Sequence, residues 1–368
     1  MNIIELTETD RGRWDEFVGE NKHGDVLQAY EWGELKSAGN AWSSFCLAAV
    51  DESDKIVGGA LLLRRVLPVV GPFYYAPRGP LMADWSDSAT LGLLVDAIRT
   101  RAKADGAAFL KIDPAVPSDD AVAVAALDSL GFVNPPGVDP QGFGGTQPRC
   151  VMVLDIAGKS EDQLLAEFKA QCRRNIRKSL KFGVEVVSDT TREHIAPFYE
   201  ILAITAKRDG FTVRPQSYYD SIWDTLVERG LAKLFLTKLG DTYLSGALCF
   251  KIGDKCCYVY GASSNEHRDT MPNYAMQWAM IRWAQAEGCS VYDFRGVSPR
   301  KRQEGEDAAE LEKEDHLQGL NRFKEGFAAE YIEYLGERDL PFNALKYWAW
   351  NNAKPAAQSV LRKLRGRK

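Results

Sequence analysis

Apolar positions change their spacing repeatedly along this 368-residue chain, and each change marks an element. Residues 10–22 and 28–38 carry helical spacing, the second stretch turning Tyr30, Trp32 and Leu35 inward with Lys36 near its end. Apolar runs at 42–50 and 56–66 flank a polar turn and predict a hairpin. A strand then enters the loop Pro77-Arg78-Gly79-Pro80, and a helix over 88–105 leads to a buried strand at 107–113, which ends in Asp113 before a proline. Another helix is predicted over 119–130.

The stretch 134–149 is rich in Gly and Pro and has almost no periodicity, so it reads as a domain boundary. After it the order begins again. A strand at 150–155 precedes a helix over 160–182, a strand at 184–188 and helices over 194–209 and 218–229. Strands at 232–239, 242–252 and 255–261 follow, then a helix over 273–287 and a strand at 291–294. Phe109 to Asp113 in the first half answers Ser290 to Phe294 in the second. The pattern predicts a duplicated α/β (α+β) module, and it resembles the acyltransferase (GNAT-like) fold in two tandem domains. The first takes residues 1–149 and, as the chain returns, about 335–368; the second takes 150–334.

Composition narrows the class. With 45% hydrophobic and 26% charged residues the chain is an ordinary globular protein. A net charge of −5 argues against a generic nucleic-acid coat, yet Arg173, Arg174, Arg177, Lys178 and Lys181 lie within nine residues, and a second basic group closes the sequence. Local basic patches on an acidic chain suggest specific polyanionic partners. Seven cysteines without a C-x-x-C pair suggest neither a disulfide framework nor a zinc site. No signal-peptide pattern opens the sequence and no run approaches the ~18 apolar residues of a membrane span, so a cytoplasmic location is expected.

Lys324, in Phe323-Lys324-Glu325-Gly326-Phe327, falls after a charged stretch and before the alternating Tyr331-Ile332-Glu333-Tyr334. This spacing predicts a lysine at a loop–strand junction, where an ammonium can meet an oxyanion, a phosphate or only solvent. Tyr258 and Tyr260 alternate with Val259 and are expected on one side of a strand, as core or as cleft lining. The basic run 173–181 is either a polyanion contact or a solvated helix face. A final helix over 344–364 mixes Leu345, Trp348, Trp350, Val360, Leu361 and Leu364 with a basic end. It suits either the interface of an anionic membrane or docking onto the first domain.

Six segments, in order, resemble the Fem-type (FemABX) aminoacyl-tRNA-dependent peptidyltransferases of bacterial cell-wall synthesis. They are Trp32-Gly33-Glu34-Leu35-Lys36, Pro77-Arg78-Gly79-Pro80, Arg174-Asn175-Ile176-Arg177-Lys178, Lys207-Arg208-Asp209-Gly210-Phe211 with Arg214 and Tyr218, Tyr292-Asp293-Phe294-Arg295-Gly296, and Phe323 to Phe327. The chain resembles the short form, without a long helical hairpin in the second domain, but carries a charged insertion at 300–315. The resemblance implies a monomer without cofactor or metal that moves an amino acid from aminoacyl-tRNA to the third-residue side-chain amine of a peptidoglycan precursor, either UDP-MurNAc-pentapeptide or lipid II.

By that resemblance Lys36 and Arg214 hold the precursor diphosphate, with Tyr218, Tyr258, Tyr260 and Arg78 as further substrate contacts. Lys324, Phe323 and Asp113 are the catalytic candidates, Asp113 as proton acceptor, as a hold on the acceptor ammonium, or only as a turn acid. Arg173, Arg174, Arg177, Lys178 and Lys181 contact tRNA. Two rivals stand beside this reading. One is an acetyl-coenzyme A N-acyltransferase, for which Gln141-Gly142-Phe143-Gly144-Gly145-Thr146 is the nearest approach to a pyrophosphate turn. The other is a non-catalytic tRNA- or precursor-binding protein.

Overall fold

A computed structural model describes residues 1–39, 41–68, 70–136, 145–299 and 317–352. The insertion at 300–315, most of the 141–146 turn and the sequence from 353 onward lie outside the described residues. The chain forms two compact units. The first holds the described residues within Met1–Pro140, Gly144–Gln147 and Tyr334–Lys368, and the second those within Gln141–Phe143 and Pro148–Glu333.

In the first unit the strands β1 (Asn2–Leu6), β2 (Ser43–Val50), β3 (Ile56–Leu67), β4 (Gly71–Ala76), β6 (Phe109–Ile112) and β14 (Arg338–Pro341) lie side by side in that order, with β5 (Leu81–Met82) paired to β3. β4 and β6 run parallel and the other pairs antiparallel. The helices are α1 (Arg11–Glu20), α2 (Tyr30–Ala38), α3 (Ser88–Asp105) and α4 (Ala121–Ser129). α3 shows how the sequence specifies them. Asp87 accepts the Thr90 amide at its start, and Gly106 ends it at φ +67°, a conformation a side chain would resist. Leu91, Leu94, Val95, Ile98 and Ala102 form its buried stripe against the sheet, each fully buried Leu or Ile contributing about 1.5–3 kcal/mol.

The second unit repeats the plan. Its sheet runs β13 (Glu330–Glu333), β7 (Cys150–Asp155), β12 (Val291–Gly296), β11 (Lys255–Ser263), β10 (Thr242–Ile252), β9 (Ala232–Leu239), β8 (Glu185–Val187). Here β11 and β12 are the parallel pair. β6 and β12, the strands matched by sequence, occupy equivalent places beside a parallel neighbour. The helices are α5 (Glu161–Glu167), α6 (Ala170–Lys181), α7 (Ile195–Asp209), α8 (Gln216–Ile222), α9 (Pro272–Ala286) and α10 (Leu317–Glu325).

Four expectations change. The helix predicted over 160–182 is two helices, because Phe168 and Lys169 are extended (ψ 145° and 144°) and Phe168 is buried against Trp278 and Phe327. The helix predicted over 218–229 begins at Gln216 and widens after Ile222 into a π-helical turn, Trp223–Val227. Lys324 belongs to α10 and not to a loop–strand junction. Finally, Tyr258 and Tyr260 face opposite sides of the sheet. Consecutive residues Leu248 and Cys249 pair with Tyr260 and Tyr258, so Val259 is a bulge that turns the alternation over.

Candidate functional site

Lys324 is the most constrained cation of the second unit. It is only 3% exposed, and its Nζ donates to the carbonyl oxygens of Phe294 (2.7 Å), Arg295 (3.2 Å) and Gly296 (2.6 Å). The reason lies in β12. Its register against β7 slips between Asp293 and Gly296, and Arg295 takes φ +59°, so the carbonyls there lose regular ladder partners. An ammonium has three hydrogens, and here all three are directed at the bulge. Burial pushes its pKa down to about 7, while Asp293 works to hold the proton. Asp293 also accepts the Arg295 amide at 2.6 Å. Asn321, one turn before Lys324, accepts from the Ser298 amide and donates to the Ser298 carbonyl. α10 therefore fixes the end of β12 at two points.

Phe323 points to the other neighbour. Its ring meets Tyr274 at 4.9 Å and Phe327 at 5.4 Å, and the Asn175 side chain on α6 opposes the burial that raises the Tyr274 pKa. The Lys169 amide, at the start of α6, donates to the Gly326 carbonyl at 2.9 Å. The basic helix and the Phe-Lys pair are thus adjoining parts of one unit.

Within that helix the cations divide. Arg173 Nη1 donates to the carbonyls of Leu165, Ala166 and Phe168, closing the open end of α5. Arg173 is therefore a structural cap, contrary to its grouping with the polyanion contacts. Arg174, Arg177 and Lys181 are exposed, and Arg174 Nη2 donates to the Gln171 side-chain oxygen at 2.6 Å. Lys178 lies 5.4 Å over the ring of Phe182.

On the other face of the same sheet, Arg214 covers the Tyr218 ring at 4.6 Å, and the Tyr218 and Tyr260 hydroxyls are 3.3 Å apart. Arg214 precedes α8 and reaches Tyr218 by stacking, without sharing a helical face. Burial raises the pKa of both phenols, so they stay neutral donors. Tyr258 packs instead with the α9-side core.

In the first unit Asp113 is 1% exposed. One carboxylate oxygen accepts from the Tyr75 hydroxyl and the other from the Arg78 amide, each at 2.6 Å. Burial raises its pKa to about 6, with Arg78, Tyr75 and the amide opposing. Arg78 sits at φ +57° before a cis Gly79–Pro80 bond, its guanidinium 5.0 Å from the Tyr334 ring. Asp113 is thus a clamp on this turn. Each carboxylate oxygen already accepts one hydrogen bond and the side chain is buried, which favours the clamp over a proton-accepting role. Lys36 ends α2 with Nζ 4.9 Å over Trp32.

Sequence reasoning missed Asn321, Tyr75 and Tyr274, and it missed the buried trio Lys111, Glu337 and Asp339, with Lys111 Nζ 2.6 and 2.9 Å from the two acids. Only a polar residue one helical turn before Lys324 hinted at the first. The trio depends on the pairing of β14 with β6, which brings together residues 226 and 228 positions apart, and Tyr75 and Tyr274 are placed by their contacts with Asp113 and Phe323. Among the described residues no group of His, Cys, Asp and Glu is arranged to hold a metal, and no helix is long and apolar enough to cross a membrane.

The sequence pattern of the FemAB family matches residues 9–240 and 226–355. The chain belongs to the FemAB family. A lipid II:glycine glycyltransferase of Staphylococcus haemolyticus is 30% identical, with 96% of this chain and 97% of that protein aligned. One from Staphylococcus saprophyticus is 32% identical over 96% of each. Among solved structures, FemX superposes with a TM-score of 0.83 at 30% identity, covering 96% of this chain and all of FemX. A tandem GNAT protein of clavulanic acid biosynthesis, at 14% identity and a TM-score of 0.54, shares the fold. As a FemAB member the chain is a transferase with two GNAT-like units.

Proposed function

We propose that this FemAB protein transfers an amino acid from aminoacyl-tRNA to the side-chain amine of the third residue of a peptidoglycan precursor, building the interpeptide bridge. Glycine and lipid II, named for its relatives, are the first donor and acceptor to test. A lipid-linked acceptor would bring the enzyme to the cytoplasmic membrane surface. The observation that carries the reading is that α6, whose outer face holds the exposed cations, adjoins the Phe323–Lys324 segment through the Lys169 amide and the Gly326 carbonyl. A basic helix suits an acceptor-stem backbone, which is read through phosphates and shape, and the transferring ester must lie within a few ångströms of the residues that assist its attack.

Aminolysis forms a bond from the acceptor nitrogen to the ester carbonyl carbon and breaks the bond from that carbon to the ribose oxygen. The proton lost by the amine ends on the departing ribose hydroxyl, so no covalent enzyme intermediate is needed. The developing oxyanion is served by Lys324. Its longest contact, 3.2 Å to Arg295, is the hydrogen most readily turned towards a substrate oxygen. Phe323 offers its partly exposed ring to the terminal adenosine. Arg174, Arg177, Lys178 and Lys181 meet the tRNA phosphates. Lys36 and Arg214 are assigned to precursor phosphates, Tyr218 and Tyr260 to neutral hydrogen bonding. The test is single-turnover transfer from glycyl-tRNA to each precursor form, followed by mass spectrometry of the product. Absence of transfer from any charged tRNA overturns the reading.

A further inference from the structure

The helical residues 344–352 of the first unit have two unlike faces. One is anchored: Tyr347 and Trp350 pack on the Phe109 ring at 5.4 and 5.8 Å, Trp350 also stacks on Phe73, and Lys346 Nζ donates to the Gly106 carbonyl at 2.7 Å. The opposite face leaves Leu345 75% and Trp348 63% exposed, one turn apart. No other large apolar residue described is exposed as far as these two. Val66, 59% exposed, lies on β3 where it pairs with Pro72, next to Gly71, whose added Cβ would sit 3.6 Å from Lys346 Nζ.

Charge is also unevenly divided along the sequence. From Asn343 to Lys368 the sequence has seven basic residues and no acidic one, against −5 for the whole chain, so residues 1–342 carry −12. Exposed Leu and Trp beside a cationic stretch satisfy both terms of interfacial binding: apolar burial at the headgroup boundary and attraction to anionic lipid. A tRNA contact would explain the cations but not the exposed Leu345 and Trp348.

We propose that residues 344–352, with the basic sequence following them, dock this protein on an anionic lipid bilayer. The proposal deepens the membrane-side part of the functional reading and rests on it only for its purpose. It is independent of which amino acid is moved.

The test is co-sedimentation of the full chain with phosphatidylglycerol-containing vesicles and with neutral phosphatidylcholine vesicles, both free of precursor. The wild type should partition into the anionic vesicles, with added salt weakening it. Leu345→Ser/Trp348→Ser should lower partitioning ~10-fold or more. Arg362→Gln/Lys363→Gln/Arg365→Gln should lower it by roughly 5-fold for each charge removed. Both variants should transfer normally to the water-soluble nucleotide-linked precursor, which separates loss of docking from loss of fold. Equal partitioning into both vesicle types, or variants that sediment like wild type, overturns the proposal. So does a triple variant that keeps vesicle binding and loses affinity for tRNA. Vesicle binding by a protein inactive in transfer would support the docking surface and count against the functional reading alone.

Discussion

Replacing Lys324 with Met keeps the length of the side chain and removes its three donors. The carbonyls of Phe294, Arg295 and Gly296 then face a thioether, and each unsatisfied buried acceptor costs about 1–3 kcal/mol. Against this stands the desolvation that holds the pKa of Lys324 at about 7 instead of 10.5, a burden of about 5 kcal/mol on the charged form. That burden is full below pH 7 and is relieved as pH rises towards 10.5, because there the unfolded chain binds the extra proton and stability increases with pH. Near pH 7 three such acceptors, about 3–9 kcal/mol together, stand against about 5, so the net loss is at most about 4 kcal/mol. For a unit of this size that is a fall in melting temperature of roughly 2–4 °C per kcal/mol.

Transfer should fall further than stability does. Loss of one oxyanion donor lowers the rate ~10²-fold, and this should appear in single turnover at a temperature where calorimetry shows the variant fully folded. Lys324→Arg should restore little, since a planar fork cannot direct three hydrogens at three adjacent carbonyls. A Met variant with wild-type melting and wild-type turnover would refute both the strand-fixing role and the catalytic one. Lost stability with normal turnover would leave only the first.

Lys36→Met and Arg214→Met should each weaken precursor binding by about 1.5–3 kcal/mol and leave tRNA binding intact; isothermal titration with the nucleotide-linked precursor reads this directly. Arg174→Gln/Arg177→Gln/Lys181→Gln should flatten the salt dependence of tRNA binding, whereas Arg173→Gln should lower the melting temperature and leave the salt slope unchanged, since that guanidinium closes α5. Asp113 has a folded-state pKa raised to about 6 from 3.8, so the native state binds the extra proton and stability falls as pH rises from about 4 to 6, by about 3 kcal/mol in all. Asp113→Asn should remove that decline from denaturant titrations across the window; an unchanged profile would count against the buried, raised carboxyl. Tyr260→Phe should leave folding intact and raise the Michaelis constant for the precursor, because the ring stays packed on Tyr219 and Phe250 while the hydroxyl is lost.

Periodic elements were legible in the sequence because their cause is local. The stripe of α3, capped by Asp87 and closed by Gly106, announces its own length, and the alternating runs around residue 53 can only be a hairpin. The repeat of the β6 pattern in β12 disclosed two related units for the same reason. Lys324 could be singled out by its setting between aromatic residues, but not understood. Its partners are carbonyls 28 to 30 residues earlier, and they need an ammonium only because β12 slips against β7. Likewise Arg173 looked like its basic neighbours until the break at Phe168, set by packing on Trp278 and Phe327, opened a helix end for it to close. Tyr258 and Tyr260 parted because one bulged residue reverses which face a side chain takes. Sequence determined which segments are helix and strand and which cations stand out. Tertiary structure decided which of those cations are spent inside the fold and which remain for a substrate, because strand register and buried carbonyls are fixed by pairing between distant residues.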